Sequence, residues 1–158
     1  MGFTVQRQLG DFWCWAAVAS SVDGYFSPGA SFRQCAIVNH VRGRGDCCEF
    51  NEACDVPDYL DAALFAIGHL RDITADVLTF DVIQQEIDKR LPVCIYFRNS
   101  NGGGHYAAIS GYSHGPNGWQ GITISDPIFG DSEVEYHSFV NLYRLQVGQW
   151  RGSFRLQP

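Results

Sequence analysis

Apolar positions in the first half of the chain fall at helical spacing. Trp15, Val18, Val22 and Phe26 make one stripe, so a helix is expected from about Cys14 to Phe26, stopped by Ser27-Pro28-Gly29. A second helix is expected through Phe32 to His40. A third is expected to start under an Asp55 cap with Pro57 in its first turn. It would bury Tyr59-Leu60, Ala63-Leu64 and Ile67 before Gly68 ends it. A fourth starts near Asp81, with Gln84 three positions on as its capping partner, and runs through Val82, Ile83 and Ile87 to Arg90. Beyond that the period changes to two. Val93 to Phe97, with Pro92 at its edge, His105 to Tyr112 and Gly121 to Asp126 read as strands. Short strands near Glu133-Val134-Glu135 and from Trp150 to Leu156, and a short helix around Phe139 to Tyr143, complete the set. Helices first and strands second is the order of an α+β domain. With no internal repeat, low-complexity tract or linker, residues 1–158 read as one domain. Its helical half runs to about residue 91 and its sheet half starts at about residue 92.

Composition narrows the class. A chain of 158 residues, 46% hydrophobic and 18% charged, suits one globular core. The formal net charge is -6, and RGRG at residues 42 to 45 is the only short basic run. Nucleic acid is therefore not an expected partner. No apolar run reaches the length of a membrane span, so no membrane partner is expected either. A basic start followed by an apolar signal core is not visible.

Six cysteines are more than a cytosolic domain of this size usually carries. Four of them, Cys35, Cys47, Cys48 and Cys54, lie in the Gly- and Asp-rich segment QCAIVNHVRGRGDCCEFNEAC. Disulfides compete there with a zinc knuckle aided by His40 and with free thiols. The spacing lacks the paired C-x-x-C units of a zinc site, so disulfides are the expectation and no metal is expected. Cys47 and Cys48 are adjacent and should pair with Cys35 and Cys54 rather than with each other, in an order the spacing leaves open. Disulfides imply folding outside a reducing cytosol. Cys94, in an apolar strand, reads as a buried small hydrophobe.

One hairpin carries geometry. In HYAAISGYSHGPNGWQGITISD, a turn symmetric about Gly115-Pro116 sets Tyr112 opposite Trp119, Ile109 opposite Ile122 and Ala107 opposite Ile124. It also sets His105 opposite Asp126, unless a bulge shifts the register. The other histidines, His40, His69, His114 and His137, have no comparable partner in the sequence.

Cys14 stands between Trp13 and Trp15 where a helix should begin. It is either a buried thiol or a nucleophile. Helix-start N–H groups and a neighbouring imidazolium both favour a thiolate. His105 would supply the imidazolium, and Asp126 would hold its other ring nitrogen. The Cys14 N–H and the Gln8 amide would be oxyanion donors.

Gln8, five intervening residues, then Cys14-Trp15-Ala16 at a helix start resembles the signature of papain-like cysteine peptidases. Gly104-His105-Tyr106 opening a strand resembles their second motif, and the chain order Cys, His, Asp agrees. The resemblance implies a papain-like α+β fold, with a central helix in the N-terminal half carrying the Cys and an antiparallel sheet in the C-terminal half carrying His and Asp. It implies a nucleophile at Cys14, a general base and acid at His105, an orienting Asp126, and Gln8 in the oxyanion hole. No cofactor is implied. Asp11 stands where plant papains have a cysteine. His105 follows Cys14 by less than the roughly 130 residues of papain and cathepsins. Those departures resemble the compact bacterial branch of staphopain-like enzymes, effector proteases and bacteriocin-leader peptidases. The cysteine-rich insert looks most like effector- and toxin-type members. A secreted or cell-delivered endopeptidase is then expected, acting on protein or peptide substrates, with a cognate inhibitor or immunity protein as a partner. Acyltransferases, transglutaminases and glutamine deamidases use the same residue order and form the alternative. A disulfide-clamped binding module without catalysis is a second one. Trp13, Gly103 and Gly104 are the expected substrate-binding residues, the glycines as an approachable or mobile lip.

Overall fold

A six-stranded antiparallel sheet separates two hydrophobic layers in the computed structural model, which describes residues 2–29, 31–144 and 147–158. Its strands are β1 (Leu70–Thr74), β2 (Val93–Arg98), β3 (Gly104–His114), β4 (Gln120–Asp126), β5 (Gly130–Glu135) and β6 (Gln149–Leu156), ordered β1-β6-β2-β3-β4-β5. One face carries Cys94, Tyr106, Ala108, Phe154 and Leu156. It packs on α1 (Cys14–Phe26) and α3 (Leu60–Ala66), against which α2 (Gln34–Arg42) lies. The other face carries Ile95, Phe97, Ala107, Ile109, Ile122 and Ile124 and is covered by α4 (Phe80–Asp88) and α5 (Tyr136–Asn141). Alternation along each strand produces these two faces, because successive side chains of a strand point opposite ways. Trp15, Ala16, Val18, Ala19 and Val22 make α1 the buried spine of the helical layer. No helix among the described residues is long and apolar enough to cross a membrane.

Four expectations are corrected. Helix α2 starts two residues late because Phe32 is held outside it: its N–H donates to Asp23 and its C=O accepts from Ser20. Asp55 does not cap α3, which starts at Leu60 after an irregular stretch containing Pro57. The Asp55 carboxylate is taken instead by the backbone N–H groups of Asp11 and Phe12. The cap of α4 is Thr79, whose Oγ1 accepts from Val82 N, while Gln84 reaches across to His114. Strand β1 was not foreseen. It lies in the nominally helical half yet closes the sheet edge beside β6, with an alternating burial pattern. Only five residues long and bearing Arg71 and Asp72, it lacks the β-branched run that announces a strand.

Two disulfides hold the insert after α2: Cys35–Cys48 ties it back to that helix and Cys47–Cys54 closes it on itself. The adjacent cysteines thus pair in opposite directions along the chain. Asp46 lies beside Cys47 and Cys54, but both of those sulfurs are committed to a bridge and offer no thiolate to a metal.

Candidate active site

The β3–β4 hairpin positions two of the expected residues by a route other than the expected one. Its turn centres on Asn117, in the left-handed conformation at φ 57°, so Tyr112 faces Ile122 rather than Trp119. One extra residue, Ser110, then bulges between Ile109 and Gly111, after which Ile109 faces Ile124 and Ala108 faces Ser125. Continued, this register sets Asp126 level with Ala107 and leaves His105 one diagonal step away on the same face. Without the bulge His105 and Asp126 would point to opposite faces, because side chains alternate. The imidazole spans the diagonal: His105 Nε2 lies 3.0 Å from Asp126 Oδ2, and both residues are buried.

Asp126 is held further by the N–H groups of Ile128 and Phe129, which donate to Oδ1 at 2.8 and 3.0 Å. Burial pushes its carboxyl pKa up. The hydrogen bond and charge of His105 and those two N–H donors outweigh burial and hold it below the ordinary carboxylate range. Burial likewise pushes the His105 imidazolium down, but Asp126 and the adjoining Cys14 outweigh it and raise the pKa from 6.5 to about 9. Phe97 stacks on the imidazole at 6.3 Å between centroids and fixes its plane.

Cys14 is the first residue of α1 and 9% exposed, and no side chain caps that helix start. Its first-turn N–H groups are therefore unclaimed by a cap and face the sulfur's surroundings. Cys14 and Cys94 are the free thiols. Cys94 lies on β2 facing the helical layer, with its pKa driven far up by burial.

Cys14, His105 and Gln8 all line one cleft of about 630 Å³. Tyr59, Tyr96, Tyr106, Trp15 and Pro57 give it aromatic and apolar walls, and Phe12, Ile128 and Phe129 border it. A second groove of about 430 Å³, against the Cys35 and Cys47 bridges, contains neither an imidazole nor a free thiol among its described lining residues.

Gln8 sits beside Cys14, but its amide is occupied. Nε2 donates to the carbonyls of Gly10 and Asp11, both at 2.8 Å, and buried Oε1 has no partner. Exchanging the amide's O and N would set an oxygen against two carbonyls, so the orientation is determined.

Trp13 does not line this cleft. It is 1% exposed, with Nε1 donating to the Cys54 carbonyl at 3.0 Å, because an indole in a core needs an acceptor and the insert supplies one. Its neighbour Phe12, 53% exposed, borders the cleft instead. Gly103 and Gly104 do line it. They are not a loose lip: Asn99 Oδ1 accepts from Asn101 N and Gly103 N, and Gly104 pairs with Arg98. A Cβ on Gly104 would stand 2.4 Å from the Tyr96 ring, so glycine lets that ring lie over the backbone. His69 has a partner that the sequence did not disclose. Its Nε2 lies 3.3 Å from Asp23 Oδ1, a buried pair joining α1 to the start of β1, and its Nδ1 lies 3.1 Å from the Gln157 carbonyl of the C-terminal segment.

A buried thiol at a helix start beside an imidazole–carboxylate pair is the kind of constellation from which cysteine peptidases are built. The family comparison gives the same class. The family model described as Peptidase_C39 like family matches residues 2–151, and the chain belongs to that family, a cysteine peptidase family of the papain-like kind. A search of curated proteins found no match.

Proposed function

We propose that the protein is an endopeptidase in which Cys14, His105 and Asp126 act as a catalytic triad. The observation that carries the reading is the buried His105–Asp126 contact beside Cys14. An imidazole that keeps its proton at neutral pH stabilises a thiolate next to it. The Cys14 sulfur attacks the substrate carbonyl carbon, and His105 passes its proton to the departing amine as the C–N bond breaks. Water then hydrolyses the thioester with His105 as base. Asp126 holds the ring and offsets its charge. The Cys14 N–H and the Gln8 amide would hold the oxyanion. Gln8 does so by exchanging one of its two carbonyl acceptors for the substrate oxygen.

The test is incubation with a mixed proteome followed by identification of new N-termini. Cleavages that vanish in Cys14→Ala and His105→Ala support the reading. Amine incorporation without cleavage would instead identify a transglutaminase or other acyltransferase, and ammonia release without cleavage a glutamine deamidase.

We further propose a secreted or cell-delivered effector or toxin setting, with a cognate inhibitor or immunity protein in the producing cell. Its support is the disulfide pair, which a reducing cytosol would not maintain. Exposure of recipient cells to the folded, oxidised protein, but not to Cys14→Ala, should be harmful in this setting.

A further inference from the structure

Two consecutive peptide units ahead of Cys14 are gripped from both sides. The Gly10–Asp11 unit presents its C=O to Gln8 Nε2 at 2.8 Å and its N–H to Asp55 Oδ2 at 2.8 Å. The Asp11–Phe12 unit presents its C=O to the same Gln8 nitrogen at 2.8 Å and its N–H to Asp55 Oδ1 at 2.8 Å. The amide of Gln8 therefore rests on two carbonyls whose N–H partners are both fixed by one carboxylate. Hydrogen bonds to an ionised acceptor are stronger than neutral ones, and successive bonds polarise each other.

The carboxylate is itself anchored. Asp55 follows Cys54, which is bridged to Cys47 and whose carbonyl accepts the buried Trp13 indole N–H. The Cys47 N–H donates in turn to Asn39 Oδ1 on α2. The fit at Gly10 is close: a Cβ there would lie 2.6 Å from Asp55 Oδ1 and 3.0 Å from the Trp13 ring. Asp55 is remote in sequence from Gln8 and Cys14, and the disulfide-closed insert delivers it.

We propose that Asp55 is a positioning residue of the active site, acting through the peptide units of residues 10–12 to set the Gln8 amide. The insert is thus part of the catalytic apparatus and not only a stability clamp. This rests on the peptidase reading above, because it assigns Gln8 the oxyanion.

The test compares Asp55→Ala, Gln8→Ala and the double variant in peptide hydrolysis, alongside iodoacetamide alkylation of Cys14, which needs no oxyanion hole. Asp55→Ala should lower kcat on the order of 10- to 100-fold, with KM within about 3-fold. The double variant should be no worse than Gln8→Ala alone, because residues acting through one another are not additive. The alkylation rate should stay within about 3-fold of wild type, since the Cys14–His105 pair is untouched. Additive losses, or unchanged hydrolysis in Asp55→Ala, would overturn the proposal. So would hydrolysis and alkylation falling together. Should Asp55→Ala fail to fold, Asp55→Asn carries the same comparison, and Gly10→Ala should reproduce its effect. If wild type neither cleaves peptides nor alkylates rapidly at Cys14, the peptidase reading fails. Amide hydrogen exchange then decides the clamp alone: Asp11 and Phe12 must lose protection in the Asp55 variants.

Discussion

His105 Nε2 and Asp126 Oδ2 meet at 3.0 Å across a diagonal of the β3–β4 ladder, on a face they share because Ser110 bulges out of β3. The contact depends on a count of residues, not only on their identity. An odd change in that count between His105 and Ile109 would separate the pair.

Inserting one alanine between Ala108 and Ile109 should therefore turn His105 and Ala107 away from the side of the sheet that Asp126, Ile124 and Ile122 occupy, whereas deleting Ser110 would only straighten β3, with Ile109 still facing Ile124 and Ala107 still level with Asp126. Loss of hydrolysis in the insertion variant is expected to the level of His105→Ala, together with a lower melting temperature because Tyr106 and Ala107 leave their cores. An insertion variant with wild-type hydrolysis would show that the residue count does not set the pair.

The pair also predicts how stability follows pH. The pKa of His105 is raised, so its contribution is fully present below about pH 6.5 and is lost as pH rises through about 9. That of Asp126 is lowered, so its contribution is present above the ordinary carboxylate value of 3.8 and is lost as pH falls through the depressed one. Asp126→Asn should accordingly destabilise most between roughly pH 4 and 6.5, and less above pH 9. Urea unfolding of both proteins at pH 5.5 and 9.5 measures this. NMR titration should show the His105 pKa falling in Asp126→Asn, and falling less in Cys14→Ala.

The two free thiols should differ sharply in reactivity. Cys14 opens onto the cleft beside His105, whereas Cys94 is wholly buried with its ionisation suppressed. Mass spectrometry after brief iodoacetamide treatment of the folded protein at mildly acidic pH should find one alkyl group, at Cys14. His105→Ala should slow its attachment by at least about 10-fold.

Adjacent aromatics should separate stability from substrate binding. Trp13→Ala removes a fully buried indole and is expected to cost about 3–5 kcal/mol, read by denaturant unfolding. Phe12→Ala should change stability by no more than about 0.5 kcal/mol, while raising KM for peptides that contact the cleft border.

Removing the Cys47–Cys54 bridge should cost roughly 2–4 kcal/mol, by the usual range for such bonds. It should also lower kcat by freeing the segment that carries Asp55. A Cys47→Ser/Cys54→Ser variant that melts lower but keeps the wild-type kcat would confine the insert to stability.

Local sequence determined a good part of the protein. The stripe of Trp15, Val18 and Val22 fixes α1, and the apolar run Val93 to Phe97 fixes β2, because helical and strand periods are written into neighbouring positions. Cys14, His105, Asp126 and Gln8 were likewise legible as candidates from residue types and order. Tertiary structure decided what depends on partners far apart in the chain. It set the hairpin register through Asn117 and Ser110, buried Trp13 by giving its indole the Cys54 carbonyl, and drew polar β1 into the sheet by pairing it with β6. It also took Asp55 from the expected helix cap to the N–H groups of Asp11 and Phe12. A carboxylate binds whichever donors the fold brings to it, and only the folded chain brings residues 11 and 55 together.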